Sequence, residues 1–199
     1  EKGVDRPSRR IRNSTREPGG VQVIPGEYTL KLKYKDQVSE EKITVQFDPR
    51  LQLSDEAIKQ KYDAQKELEN HQANISKMVK QLVENKNAIG AFEKKLSSED
   101  KTKYKEEIKL SKEMSKKLEN HIALFMGKID RRQGITRNPE VTVLQRLRSA
   151  SRYVGSRFGE QTRTEKQLVN QFKDSYKAAM DKSNNFLSSE WNDYITKMN

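Results

Sequence analysis

The sequence predicts an α+β, mainly α fold: a short antiparallel β-hairpin followed by an elongated antiparallel bundle of three to four helices. Three observations predict it. Apolar residues alternate one-in, one-out from Tyr28 to Phe47. Beyond Pro49 they recur at helical spacing almost to the last residue. The connections between the helical stretches are short, so sequential helices should pack antiparallel. The organisation that follows is an irregular arm with a hairpin over 1–50 and a helical bundle over 51–199.

Residues 1–25 are rich in arginine and punctuated by Pro7, Pro18, Gly19, Gly20 and Pro25. They read as irregular chain with one short strand over 21–24. Arg6, Arg9, Arg10 and Arg12 make this a basic, flexible or wrapping segment. In the next stretch Tyr28, Leu30, Leu32 and Tyr34 point one way, and Thr29, Lys31 and Lys33 the other. That is the period of a half-buried strand. Lys35-Asp36-Gln37 turns the chain, and Ile43, Val45 and Phe47 return on one face. Two strands alone are marginal in water. Their apolar face needs the helices, or further strands from chain upstream.

Asp48-Pro49-Arg50 ends the second strand. Ser54, followed by Asp55 and Glu56, supplies a capping hydroxyl and acids at the positive end of the helix dipole. The first helix should run from about residue 54 to the low 90s, with Gly90 near its end. Its stripe is Ile58, Tyr62, Leu68, Ile75, Val79, Leu82 and Phe92. The second should begin at Ser97 or Ser98 and run to about Arg132, where Gly134 stops it. Tyr104, Ile108, Leu118, Ile122, Phe125 and Ile129 form its stripe. Asn138-Pro139-Glu140 starts a third, with proline at the first helical position. Its apolar residues are Val141, Leu144, Leu147, Val154 and Phe158. Thr162 and Glu165 have capping-box spacing and open the last helix. That helix should bury Leu168, Phe172, Tyr176, Met180, Leu187, Trp191 and Ile195.

The 199 residues are 32% hydrophobic and 35% charged, with a net charge of +11. So low an apolar share suits long helices that each bury a narrow stripe. The basic balance points to an anionic partner or to a lysine-rich helix surface that keeps the bundle soluble. There are no cysteines, which excludes disulfides and thiolate chemistry. No apolar run approaches the ~20 residues of a membrane span. The chain begins at Glu1 without a signal-like stretch, which reads as a fragment of a longer protein with any targeting segment upstream.

Leu-Glu-Asn-His occurs twice, at 68–71 and 118–121. A helical hairpin turning near residue 96 would set the two copies level and bring His71 close to His121. With Glu69 or Glu119 they would then be candidate metal ligands. The competing reading is a polar layer or two separate histidines beside the core stripe. A second cluster gathers Arg131, Arg132, Arg137, Arg146, Arg148, Arg152, Arg157 and Arg163. Arginine forks suit phosphates and carboxylates, and Tyr153 and Phe158 would add stacking. Arg146, Arg148, Arg152 and Arg157 are therefore the candidate anion-binding residues. Against them stands a solvated basic face paired with Asp130, Glu140 and Glu160. No nucleic-acid motif accompanies the cluster, so nucleic acid is not the expected partner. The carboxylates mostly face solvent, and neither a nucleophile elbow nor a phosphate loop appears. No catalytic residue and no cofactor are assigned.

Several phrases together resemble a known region. Pro25-Gly26-Glu27-Tyr28-Thr29-Leu30 is similar to the opening of a late strand in bacterial Ig-like modules. Ile43-Thr44-Val45 and Asp48-Pro49-Arg50 resemble the strand and exit that follow it in one family. Asn138-Pro139-Glu140, Leu144, Leu147, Tyr153 and Trp191 continue the resemblance. The family is the C-terminal region of exported bacterial sortilin-like, BNR-repeat β-propeller proteins, often labelled glycosyl hydrolases. The match spans most of 25–199. It implies that the hairpin is part of an Ig-like fold begun upstream. It also implies an appended bundle and a periplasmic or extracellular location. No propeller repeat occurs in this chain, so no glycosidase activity carries over. The function expected is a non-catalytic accessory or interaction domain of the larger protein. It would present a helical surface to a protein or glycan partner, or to its own propeller. The alternative is an anion-binding module for nucleic acid or acidic polysaccharide, built on the arginines between 131 and 163.

Overall fold

A computed structural model describes residues 3–11, 18–100, 102–129, 141–157 and 159–198. It is mainly helical, with one two-stranded antiparallel sheet ahead of the helices. The strands are β1 (Gly26–Tyr34) and β2 (Gln37–Val45). The helices are α1 (Asp55–Asp100), α2 (Lys105–Met126), α3 (Val143–Gly155) and α4 (Arg163–Phe186). A π-helical turn over Leu187–Trp191 joins α4 to α5 (Asn192–Met198). The strand expected over 21–24 does not form, and those residues stay irregular. The Ile24 carbonyl instead accepts the Tyr28 hydroxyl at 2.7 Å.

β1 and β2 pair in register from Gly26↔Val45 to Tyr34↔Gln37 around a two-residue Lys35–Asp36 loop. Lys35 sits in the left-handed region, φ 52°. The Ser54 hydroxyl accepts the Ala57 N–H at 3.2 Å and starts α1 as expected. α1 then runs through Gly90, whose missing side chain faces open space, and through Ser97 and Ser98. The chain turns where Asp100 Oδ1 accepts the N–H groups of Thr102 and Lys103, at 2.9 and 3.0 Å. The turn thus lies some residues later than the serines suggest. α2 ends at Met126 rather than near 132, so Ile129 leaves the stripe and is exposed. The Asn138-Pro139 start falls outside the described residues. The described start of α3 is Thr142, which forms a full capping box with Gln145. Thr162 and Glu165 form the expected box at α4.

The contacts fix how the rods lie. Lys86 on α1 meets Glu119 on α2. Gln65 on α1 lies against Gly155 at the end of α3. α2 therefore runs back along the C-terminal half of α1, and α3 along its N-terminal half. The end of α2 and the cap of α3 nearly touch, since a Cβ on Gly127 would lie 3.0 Å from Thr142 Cγ2. α2 and α3 act as one interrupted rod. α4 covers both: it meets α1 where Tyr176 accepts from Asn74, and α2 where His121 meets Ser183. The core follows these seams through Leu68, Ile75, Leu82, Leu118, Ile122, Phe125, Leu147, Phe172 and Phe186. At 1.5 Å per residue, α1 is about 69 Å long.

Near the C-terminus Ile195, expected in the stripe, is exposed, and Tyr194 is buried. The expected stripe advanced mostly in steps of four, with one of seven from Met180 to Leu187, and each step of four overshoots a 3.6-residue turn by about 40°. The buried series Val169, Phe172, Ala179, Ser183, Phe186, Tyr194 keeps the true period. Tyr194 hydrogen-bonds Ser111 at 2.7 Å inside the seam and stacks on Trp191.

Candidate functional site

The hairpin departs most from expectation. Cross-strand partners share a face in an antiparallel pair. Tyr28, Leu30, Leu32 and Tyr34 therefore share one face with Ile43, Glu41, Ser39 and Gln37. No residue of either strand is buried. Leu30 is 58% exposed, Leu32 69% and Tyr34 67%. The half-buried strands read from the alternation are thus uncovered strands here. The bundle reaches only the base of the hairpin, where Val23, Ile24, Phe47, Leu53 and Ile58 border a small cleft. The opposite face is charged and carries the Lys31–Glu40 pair at 2.6 Å.

The two histidines do not meet. Because Lys86 faces Glu119, the residue level with His121 is near 84. His71 lies about 20 Å further along α1. His71 sits edge-on to Phe172 and Tyr176, with ring centroids 5.4 and 4.4 Å away. Its Nε2 is 3.7 Å from Glu67 Oε1, beyond hydrogen-bond reach. His121 stacks on Phe186 at 4.2 Å, and its Nδ1 lies 3.2 Å from Ser183 Oγ. Burial lowers the pKa of both. Lys173 adds to the effect at His71 against the pull of Glu67, and Lys182 adds to it at His121 against Glu190. Two rings on separate levels, each seated among aromatic side chains, are separate histidines beside the core rather than a shared ligand set. Glu69 is held by Lys66 at 2.8 Å. Among the described residues no group of three or more metal-ligating side chains gathers elsewhere.

Glu119 has a different task. It takes Lys86 on one oxygen and Arg9 of the N-terminal arm on the other. Burial raises its carboxyl, but the hydrogen bonds from Lys86 and Arg9 outweigh burial and hold it below the usual value. The second Arg9 nitrogen reaches the Gly127 carbonyl at the end of α2. A cation there suits the negative end of the helix dipole. Gln72 on α1 donates to the Val4 carbonyl at 3.1 Å, and Pro7 is buried. The arm over 3–11 therefore wraps the bundle. The sequence left this segment as flexible or wrapping; the structure shows it wrapping, with Arg9 as the clasp. The one local hint was Pro7 two residues ahead of Arg9.

The arginine cluster splits. Arg146, Arg148 and Arg152 of α3 line one groove with Val141, Gln145, Ser149, Leu168 and Gln171. Among the described residues no carboxylate lines it. Arg152 also lies over the Tyr153 ring, 5.8 Å from its centroid. Arg157 turns away, pairing with Glu165 at 3.3 Å and with the Glu160 carbonyl. Burial raises the Glu165 carboxyl, but hydrogen bonds from Thr162 and Arg157 hold it below its ordinary value. Arg163 opens α4. Arg131, Arg132, Arg137 and Phe158 lie outside the described residues, as do Asp130 and Glu140.

No helix among the described residues is long and apolar enough to cross a membrane. No family model matches the chain, and no curated protein or solved structure matches it either.

Proposed function

We propose that the chain is a non-catalytic interaction module of a larger exported protein, and that its hairpin docks onto strands supplied by that protein. One observation carries this reading: on one face of the hairpin the apolar side chains of β1, with Ile43 of β2, are left open beside a well-formed bundle. Leu30, Leu32 and Tyr34 run along β1 as an apolar strip with Ile43 of β2 beside its start, while Glu41, Ser39 and Gln37 complete the face. Each exposed aliphatic side chain forgoes about 1.5–3 kcal/mol of burial. A two-stranded sheet that loses this much is marginal, and a covering sheet removes the deficit. The resemblance to sortilin-like β-propeller proteins names the source of that cover: Ig-like strands ahead of the hairpin in the same polypeptide. The helices then hold the hairpin on a rigid support about 69 Å long and offer their outer faces to a protein or glycan partner.

The experiment compares Leu30→Lys/Leu32→Lys in the isolated chain and in the full-length protein. In the isolated chain the double variant melts like the wild type, because neither side chain is buried there. In the full-length protein it loosens the hairpin region, read as faster proteolysis between 26 and 45. Equal proteolysis of wild type and variant in the full-length protein contradicts the reading.

A further inference from the structure

We infer that the groove between α3 and α4 is a docking site for an acidic amphipathic helix of a protein partner. The groove encloses about 570 Å³. Arg148 and Arg152 are both exposed on α3 and stand one turn apart, with Arg146 beside them. Four residues are about 6 Å of rise, which is also the spacing of two carboxylates at i and i+4 on a partner helix. Each guanidinium can then take a carboxylate through two parallel hydrogen bonds. Among the described residues the charge has no counterpart within the groove, since the other polar lining residues there are Gln145, Ser149 and Gln171. An occupant bearing carboxylates supplies the complementary charge.

The remaining lining residues select the class of occupant. Val141, 66% exposed, and Leu168 make an apolar strip along the same groove. A helix with acids on one edge and leucines beside them satisfies both features, as in other helix-in-groove complexes. A nucleic acid or acidic polysaccharide meets the arginines but leaves the apolar strip wet. Among the described residues no aromatic ring lines the groove to stack on a base.

This inference rests on the interaction-module reading and sharpens it. Its test uses a different surface from the hairpin, so the two fail separately: Leu30→Lys/Leu32→Lys leaves groove binding intact. The probes are a labelled synthetic helical peptide with paired glutamates one turn apart and a leucine stripe, its Glu→Lys counterpart, a single-stranded oligonucleotide, and heparin. Fluorescence anisotropy at low salt should show saturable binding of the acidic peptide. Arg148→Glu/Arg152→Glu should weaken it by about tenfold or more and should confer binding of the lysine counterpart. Val141→Ser should weaken peptide binding while leaving the helical circular dichroism unchanged. Absence of acidic-peptide binding overturns the inference. So does an affinity indifferent to charge reversal, or tighter binding of oligonucleotide or heparin than of the peptide.

Discussion

The Arg9 guanidinium grips the Glu119 carboxylate across 110 positions of sequence, and so ties the N-terminal arm to the middle of the bundle. The same guanidinium holds the Gly127 carbonyl, where α2 stops and α3 takes up the rod. Both side chains are less than a third exposed, so solvent screens the pair only in part. Arg9→Ala should cost about 1–2 kcal/mol, at the lower end for a charged hydrogen-bond pair because of that screening. Urea titration of the helical signal measures it. Wild-type stability in the variant would show that the arm rests on the bundle without holding it.

Gly127 has φ +78° and would drive a Cβ to 3.0 Å from Thr142 Cγ2. Gly127→Ala should therefore destabilise the junction by about 1–2 kcal/mol, from the left-handed backbone and the contact together. Gly90→Ala, in the middle of α1 and facing open space, should stabilise by about 0.5–1 kcal/mol. Opposite signs from two glycine replacements, read by thermal melting, check the junction directly.

Acid should loosen the fold in two stages. His71 and His121 are held below their ordinary value of 6.5, chiefly by burial. Above that value neither the folded nor the unfolded chain binds the protons, and the histidines contribute nothing to pH dependence. Below it the unfolded chain binds them first, so stability falls as pH drops toward the folded values. Glu119 and Glu165 are held below 4.5, so the stability they lend is lost only in more acid solution. Melting temperature should decline from pH 7 to pH 5, and His121→Gln should flatten that first decline. An unchanged slope in the variant would remove His121 from the account.

Leu118 is fully buried between α2 and its neighbours. Leu118→Ala should cost about 2–5 kcal/mol. Leu118→Asp should unfold the bundle, since it adds a buried charge without a partner. A cooperative melt retained by the aspartate variant would contradict the core.

Much of this architecture is legible in the sequence because its periods are simple. Alternation gives β1 and β2 their pairing faces, and Thr162 with Glu165 announces α4. Two places resisted. Gly90, Ser97 and Ser98 look like helix punctuation, yet α1 runs through all three. Asp100 makes the turn through its own side chain. That displacement of a few residues separates His71 from His121, because pairing along two antiparallel rods depends on where they turn. Arg148 and Arg152 share a face of α3 as their spacing says, while Arg157 is diverted by Glu165, a capping residue whose second use no local pattern records. Whether a strand's apolar face is covered is not written in the strand at all, since the cover lies elsewhere in the chain or outside it.

Hydrogen–deuterium exchange over 26–45, measured in the isolated chain and in the full-length protein, tests the docking role of the hairpin most directly. Fast exchange of the β1 and β2 amides in the isolated chain, slowed by about a hundredfold or more in the full-length protein, is the result the account predicts. Equal exchange in the two would contradict it.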